Sequence, residues 1–367
     1  MFLYHLAIIN GKQHKPLLLL VVVVDDMILA SATTAAEKAF AVYMHKQYDI
    51  KEMGQPQYMI GVKLDINHSL GTIGLSQTGY IEDMYAKHHN PCYYSKDMRT
   101  DLPASPSMDL TKAGMRSRNA AATKSPCLPN ATTYRSLVGA LMYSLITRPD
   151  VATAVSKCAK YMANPTHDHM KAAQRILVYL YTTRSLNLTY SLSTKLGLTC
   201  FVDASWADDK DNRRSRFGYA IFLGRNLICW KSKMHASCSM STAEAEYVAA
   251  TEAAKQLKWI HYLLTDIGIS VPLPIPCYED NDACRQMCNN HVISGRNKHV
   301  ELKQHYIREQ VQARFMTMLN VDTADQIGDI FTKNLPKPSF TRHRRVLLHG
   351  LEPNHPALQT NKQQKHL

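Results

Sequence analysis

The chain has 367 residues, of which 45% are hydrophobic, and Lys plus Arg exceed Asp plus Glu by 13. This length predicts two or three domains with ample cores. The positive excess favours an anionic partner, with nucleic acid ahead of a membrane surface. Nine scattered cysteines without a CxxC pair argue against a zinc site. Their odd number, without a secretory signal, predicts reduced thiols in an intracellular protein of the cytoplasm or nucleus.

An apolar run near the N-terminus, KPLLLLVVVVDDMILASA, contains the adjacent aspartates Asp25 and Asp26. Its uninterrupted apolar part, residues 17–24, is too short for a bilayer crossing, which needs about 20 residues. No small-residue cleavage site of a signal peptide precedes the aspartates. We therefore predict a strand buried on both faces. Two adjacent carboxylates at its end repel each other, which leaves two alternatives open: a turn in water or a divalent-metal site.

The rest of the first half alternates helices and strands. Helices are predicted over residues 35–50 and 78–89, and a hairpin over residues 57–77. Residues 97–130 are rich in Pro, Ser, Thr, Lys and Ala, which predicts a linker or flexible loop. Three helices follow within residues 131–184, the first two separated by a break at Arg148-Pro149.

From residue 198 the pattern becomes that of a compact mixed α/β domain. Three consecutive strands lead to a long helix that begins at Ser241. A strand, a short helix, a basic helix, a further strand and a last helix from about Thr323 complete it. The C-terminal residues are predicted to be disordered.

Three aspartates of this domain lie at informative positions. Asp203 is in the middle of the first strand, where a half-buried face is predicted to begin, and Asp280 ends the fourth strand. Asp329 lies near the start of the last helix, for which Thr323 and Gln326 predict the N-terminal cap. Each aspartate alone is more typical of a turn or a helix cap than of a metal ligand.

Two glutamates at the start of the long helix have different predicted roles. Ser241 and Glu244 form a capping-box pattern, so Glu244 has a structural role. Glu246 lies on the apolar stripe, where a buried acid needs a partner. Carboxylates that converge from separate elements are what two Mg²⁺ ions need for an in-line phosphoryl transfer.

Several long strings carry a resemblance to a known family. FVDASWADDKDNRRSRFGYAIFLGRNLICWKSK, STAEAEYVAATEAAKQLKWI and GRNKHVELKQHYIRE resemble the ribonuclease H domain of Ty1/copia-type retrotransposon Pol polyproteins. LLLLVVVVDDMILA resembles the catalytic strand of their reverse transcriptase, and YMIGVKLDI, YRSLVGALMYSLITRPDVATAV and AAQRILVYL resemble its downstream palm, thumb and connection.

The resemblance implies an α/β (α+β) fold, in which a truncated reverse transcriptase palm, thumb and connection precede a ribonuclease H-like mixed-sheet domain. The implied segments are a truncated palm and thumb, a linker, a helical connection, the ribonuclease H-like domain and a disordered tail. Their implied bounds are residues 1–96, 97–130, 131–195, 196–350 and 351–367.

The resemblance also implies site residues. The four metal-binding acids of the family's ribonuclease H match Asp203, Glu246, Asp280 and Asp329. They imply two bound Mg²⁺ ions, with Mn²⁺ as an alternative. Gly328 replaces the family's alanine, which predicts a looser position for Asp329.

The polymerase half of the resemblance implies an incomplete site. Asp25 and Asp26 match the paired aspartates of the polymerase strand. Because the family's other metal-binding aspartate and its fingers lie upstream, and this chain starts at Met1, we expect an inactive polymerase that lacks these N-terminal Pol segments.

The function implied is hydrolysis of RNA in a DNA–RNA hybrid, recognised by its shape, phosphates and 2′-OH groups. A non-catalytic nucleic-acid-binding remnant of a decayed copia element is the alternative, and no membrane partner is expected. Five basic residues are candidate phosphate contacts, although a solvated charged face explains them equally well. They are Arg213, Arg214, Arg296, Lys298 and Lys303.

Overall fold

The first three strands form a small antiparallel sheet in the order β1-β2-β3. The computed structural model describes residues 2–5, 18–31, 33–117, 125–192, 196–289, 301–353 and 355–359. The strands are β1 (Phe2–His5), β2 (Leu18–Val23) and β3 (Asp26–Ser31). In β2 only Leu18 and Leu20 are buried, so the prediction of a strand buried on both faces is wrong. The antiparallel partner strands leave the other face of β2 partly exposed.

A second antiparallel sheet has the order β4-β5-β6-β9 and packs with helices. The predicted hairpin is confirmed by β5 and β6, and the two predicted helices by α1 and α2. A small hairpin, β7 and β8, lies within the stretch predicted as a linker. The elements are α1 (Thr34–Gln47), β4 (Tyr58–Met59), β5 (Val62–Asn67), β6 (Thr72–Ser76), α2 (Thr78–His88), β7 (Met108–Thr111) and β8 (Gly114–Ser117).

Three helices and the last strand of the second sheet follow. They are α3 (Ala131–Ser144), α4 (Ala152–Ala159), α5 (His167–Thr182) and β9 (Leu188–Ser191). The predicted break at Arg148-Pro149 is confirmed, because a short 3₁₀ helix, Pro149–Val151, separates α3 from α4.

The second half of the chain forms a mixed five-stranded sheet in the order β12-β11-β10-β13-β14. The first three strands are antiparallel, whereas β13 and β14 run parallel to β10. This topology confirms the predicted α/β, ribonuclease H-like fold class. The elements are β10 (Leu198–Ser205), β11 (Arg216–Leu223), β12 (Asn226–Met234), α6 (Thr242–Asp266), β13 (Ile275–Glu279), α7 (Asp282–Asn289), α8 (Glu301–Gln312) and β14 (Met316–Asn320).

The C-terminal elements differ from the prediction. Two 3₁₀ helices, Thr323–Asp325 and Ile327–Phe331, stand where one helix from Thr323 was expected. The α-helix α9 (Lys337–His349) begins later, directly after Pro336, and α10 (Pro356–Gln359) follows it. Proline disfavours the α conformation in the residue before it, and it is well tolerated at a helix start, which accounts for the late start of α9.

Two hydrophobic cores cover the two faces of the five-stranded sheet. One core contains α6, α7 and α8 together with inward residues of β10 such as Cys200 and Val202. The other joins α3, α4, α5 and α9 to the opposite face, where Phe201 is wholly buried. The helices that precede this domain in sequence therefore form one of its covering layers. None of the helices in the described ranges has the length and apolar character needed for a bilayer crossing.

Candidate carboxylate site

Asp203 lies near the carboxyl end of β10, and its side chain is 1% exposed. The predicted half-buried face is wrong, because the layer formed by α3, α4, α5 and α9 covers it. Both carboxylate oxygens have partners: Thr332 donates its hydroxyl to Oδ2, and the Lys333 ammonium donates to Oδ1 at 3.1 Å. The buried charge of Asp203 is thus balanced by a lysine that the sequence reasoning missed.

Asp329 lies in the 3₁₀ helix Ile327–Phe331, and Lys333 Nζ donates to its Oδ1 at 2.6 Å. Burial, and then the Asp203 carboxylate, raise the pKa of Asp329 to about 7, although Lys333 acts in the opposite direction. One ammonium group therefore bridges two acids that lie more than a hundred positions apart in the chain.

Two glycines allow this 3₁₀ helix to approach the sheet. A Cβ atom on Gly328 would lie 2.9 Å from the Cβ and the backbone nitrogen of Asp203, and one on Gly218 would collide with Phe331. The expectation that Gly328 loosens the position of Asp329 is therefore wrong: Gly328 lets the segment pack tightly against β10. The predicted cap is also absent, since the Gln326 side chain accepts a hydrogen bond from the Gly328 backbone instead.

The two glutamates of α6 are placed as predicted. Glu244 is half-buried; its backbone N–H donates to Ser241 Oγ, and its own Oε2 accepts from the Met240 backbone N–H. Glu246 is 6% exposed, and its Oε2 has no hydrogen-bond partner. Burial, and then the Glu279 and Asp203 carboxylates, raise the pKa of Glu246 well above its usual range.

Asp280 follows the last residue of β13 and is half-buried. Its Oδ2 accepts a hydrogen bond of 3.0 Å from the Thr323 hydroxyl. The parallel register pairs Phe201 with Tyr278, so its continuation places Asp280 beside Asp203. Asp280 also contributes to the raised pKa values of Glu246 and Asp329, so its charge acts on both of these acids.

Glu279 is a fifth acid at this edge, and the sequence reasoning missed it. Its side chain is wholly buried and lies on the same face of β13 as Ile275 and Cys277. Its Oε1 accepts from the Asn281 backbone N–H at 3.0 Å, whereas its Oε2 has no hydrogen-bond partner. Burial raises its pKa, and Asp203 and Asp280 raise it further. Strand alternation was the available signal, since it places Glu279 on an apolar face.

The donor chemistry of this cluster fits Mg²⁺ or Mn²⁺, which prefer carboxylate oxygens. The Oε2 atoms of Glu246 and Glu279 are buried and have no hydrogen-bond partner. A bound cation would supply the missing interaction for such oxygens. As the side chains stand, no three His, Cys, Asp or Glu residues in the described part of the chain form a ready metal site. In this arrangement the Lys333 ammonium donates to both Asp203 and Asp329.

The other predicted site residues lie elsewhere or outside the described residues. Asp25 and Asp26 lie at the exposed turn between β2 and β3. Of the two alternatives, this position favours a turn in water over a divalent-metal site. Arg213 and Arg214 are exposed in the loop that joins β10 to β11. Two of the remaining basic residues, Arg296 and Lys298, lie outside the described residues, as does the side chain of Lys303.

All nine cysteines are free thiols and lie within the described ranges. Four of them are buried in the core between the five-stranded sheet and α6: Cys200, Cys277, Cys284 and Cys288.

The chain is similar to Pol polyproteins of plant transposons. It is 33% identical over 304 residues to the retrovirus-related Pol polyprotein from transposon RE2 of Arabidopsis thaliana, with 83% of this chain and 20% of that protein covered. It is 31% identical over 300 residues to the corresponding polyprotein from transposon TNT 1-94 of Nicotiana tabacum, with 81% and 22% covered. The chain thus spans about a fifth of the length of these curated relatives.

The comparisons with family models and with solved structures are less informative about the family of the chain. No protein-family model matches the chain. Among solved structures, LC11-RNase H1 isolated from compost aligns with 37% of this chain and 92% of its own, at 15% identity and a TM-score of 0.30. The polyprotein relatives cover most of the chain at about one-third identity, and on that basis it belongs to the family of retrovirus-related Pol polyproteins of copia-type transposons.

Proposed function

We propose that the ribonuclease H-like part of the chain hydrolyses the RNA strand of DNA–RNA hybrids at the carboxylate cluster. The observation that carries this proposal is the meeting of acids from β10, α6, the end of β13 and the 3₁₀ helix Ile327–Phe331 at one sheet edge. The residues that would hold Mg²⁺ are Asp203, Glu246, Asp280 and Asp329. When bound, Mg²⁺ supplies the positive charge that stabilises the developing charge on the scissile phosphate.

The protein side chains in and near the cluster have further proposed roles. A cation held by the Oδ1 atoms of Asp203 and Asp329 would displace the Lys333 ammonium, which donates to both atoms. Without a metal, burial and the Asp203 carboxylate raise the pKa of Asp329 to about 7, and a bound cation would favour its carboxylate form. The exposed Arg213 and Arg214 are proposed phosphate contacts of the bound hybrid.

The test is cleavage of a hybrid with labelled RNA by the purified chain in Mg²⁺. Asp203→Asn should lower the rate by more than about 100-fold, since even outer-shell partners of metal ligands cost 10–100-fold. Glu244→Gln is the matched control, because Glu244 is a half-buried capping residue of the same helix that carries Glu246. Equal losses in the two variants would contradict the assignment.

A second function is favoured by one observation. Because Lys333 neutralises Asp203 and Asp329, part of the cluster is balanced without a metal, as suits a remnant that only binds nucleic acid. Hybrid binding by the wild-type chain, with no cleavage at any Mg²⁺ or Mn²⁺ concentration, would support this alternative and contradict the nuclease.

A further inference from the structure

Two buried glutamates approach the same sheet edge from different elements, and the Glu279 carboxylate contributes to the raised pKa of Glu246. Glu246 comes from the first turns of α6 and is 6% exposed; Glu279 is the last residue of β13 and is wholly buried. Each has one carboxylate oxygen, Oε2, without a hydrogen-bond partner. A buried carboxylate with an unsatisfied oxygen is costly unless a cation or a proton compensates for it.

The aspartates of the cluster are in a different situation. Asp203 has a partner on each oxygen, and Asp329 and Asp280 each have one from Lys333 and Thr323. Among the acids of this cluster, Glu246 and Glu279 are the ones with an oxygen that is both buried and without a hydrogen-bond partner. This difference singles out the Glu246–Glu279 side of the cluster as the place where a cation would be best compensated by the protein.

A shared proton is the main alternative to a cation. It would require the two carboxyl groups to form a short hydrogen bond with each other, of about 2.5–2.7 Å. Neither Oε2 atom makes any such bond. A divalent ion, by contrast, bonds to carboxylate oxygens at about 2.0–2.6 Å each, so its two ligands lie farther apart than hydrogen-bonded atoms.

We propose that Glu279 is a further metal ligand of this chain and that, with Glu246, it binds the first divalent cation to enter the cluster. The proposal rests on the proposed function, since it assigns a fifth ligand to the same site. It also gives an order of loading: the Glu246–Glu279 side fills first, while Lys333 still occupies the space between Asp203 and Asp329.

The test is Mn²⁺ binding to the full chain without nucleic acid, measured from the electron paramagnetic resonance signal of free Mn²⁺. Glu279→Gln keeps the shape and the Asn281 contact but removes the charge, so it should weaken the tightest Mn²⁺ site by at least about 10-fold. Glu246→Gln should do the same, whereas Glu244→Gln, a change at the helix-capping residue, should bind like the wild type. Circular dichroism of each variant establishes that it is folded, and Glu279→Asp, which keeps the charge, should retain part of the affinity.

The outcomes separate the two proposals. If the wild-type chain binds Mn²⁺ and Glu279→Gln binds it with the same affinity and stoichiometry, Glu279 is not a ligand, and the proposed nuclease site is unaffected. If the wild-type chain binds no Mn²⁺, both this inference and the proposed metal-dependent activity are wrong.

Discussion

Lys333 donates a hydrogen bond of 3.1 Å to Asp203, a residue 130 positions earlier in the chain. The same ammonium donates to Asp329 at 2.6 Å. Asp203 and Asp329 are nearly buried, whereas the Lys333 side chain is 39% exposed. Lys333 thus lies at the mouth of the cluster and supplies positive charge to two acids whose mutual repulsion would otherwise act unopposed in a low dielectric.

We predict that Lys333→Met destabilises the metal-free chain. Removing one partner of a buried ion pair typically costs about 3–5 kcal/mol, and the partial exposure of Lys333 reduces this to about 1–3 kcal/mol. Urea unfolding in EDTA at pH 8 measures the loss. Because a divalent cation would replace the missing charge, Mg²⁺ should restore more stability to this variant than to the wild type.

Lys337→Met is the control for that measurement. Lys337 pairs with Asp101 at 2.6 Å, but both side chains are more than 60% exposed. Such surface pairs contribute little, so the loss should stay below about 0.5 kcal/mol. Similar losses in the two lysine variants would show that the position of Lys333 in the cluster has no special effect on stability.

The raised pKa of Asp329 predicts a pH-dependent stability difference. The folded chain holds a proton on Asp329 up to about pH 7, whereas the unfolded chain releases it near the ordinary aspartate pKa of 3.8. The folded state therefore binds more protons between these pH values, and Asp329 lowers the free energy of unfolding progressively as the pH rises from about 4 to 7.

Asp329→Asn removes this penalty. Its stability gain over the wild type should grow from near zero at pH 4 to about 2–4 kcal/mol at pH 8, since a pKa change of one corresponds to about 1.4 kcal/mol. Comparing the two proteins at each pH in EDTA cancels the opposite trend of His343, whose burial lowers its pKa to about 4. A difference that stays constant with pH would show that Asp329 does not titrate in this range.

The sequence predicts those features of the fold that follow from the local spacing of apolar residues. Helix spacing alone places Glu246 on the apolar stripe and so predicts its burial, and the strands around Asp203 follow from their apolar runs. The 3₁₀ helix Ile327–Phe331 is not predicted, because Thr323 and Gln326 imitate a capping box and the close packing that shapes this segment comes from Gly218 in a distant strand.

Long-range contacts explain the remaining errors. No local pattern pairs Lys333 with Asp203, and none shows that helices from the first half of the chain cover the second face of β10. Glu279 escapes prediction because two acids in succession at a strand end look alike in sequence. Strand alternation places Glu279 on the face of Ile275 and Cys277, and the parallel register of β13 beside β10 then places Asp280 next to Asp203.

Binding of nucleic acid should depend on Arg213 and Arg214 through phosphate contacts. The double variant Arg213→Gln/Arg214→Gln should reduce the slope of log affinity against log salt by up to about 2, since each lost phosphate contact removes about 0.9. Fluorescence anisotropy with a labelled hybrid measures the slope. Lys38→Gln/Lys46→Gln, which removes two exposed charges from α1, is the control. An equal change in the control would mean that net charge alone governs binding.

Within the helical layer, we expect the free energy of unfolding to depend most strongly on the buried ion pair at the break between α3 and α4. Arg148 donates to both carboxylate oxygens of Asp150, at 2.9 and 2.8 Å, and both side chains are wholly buried. Tyr179 donates its hydroxyl to the same Asp150 at 2.5 Å and accepts a hydrogen bond from Arg344 of α9. Asp150 therefore connects the helical layer to the C-terminal helix of the ribonuclease H-like domain.

Asp150→Asn should lower the free energy of unfolding by about 3–5 kcal/mol, because it leaves the Arg148 guanidinium buried without a counter-charge. The control is Glu82→Gln, which breaks the exposed pair of Glu82 with Arg184 and should cost less than about 0.5 kcal/mol. Urea unfolding followed by circular dichroism measures both. Since α9 packs on the layer that Asp150 holds together, the Asp150 variant should unfold in a single transition that includes the five-stranded sheet. A separate, earlier transition that leaves the sheet folded would show that the two layers are not energetically coupled.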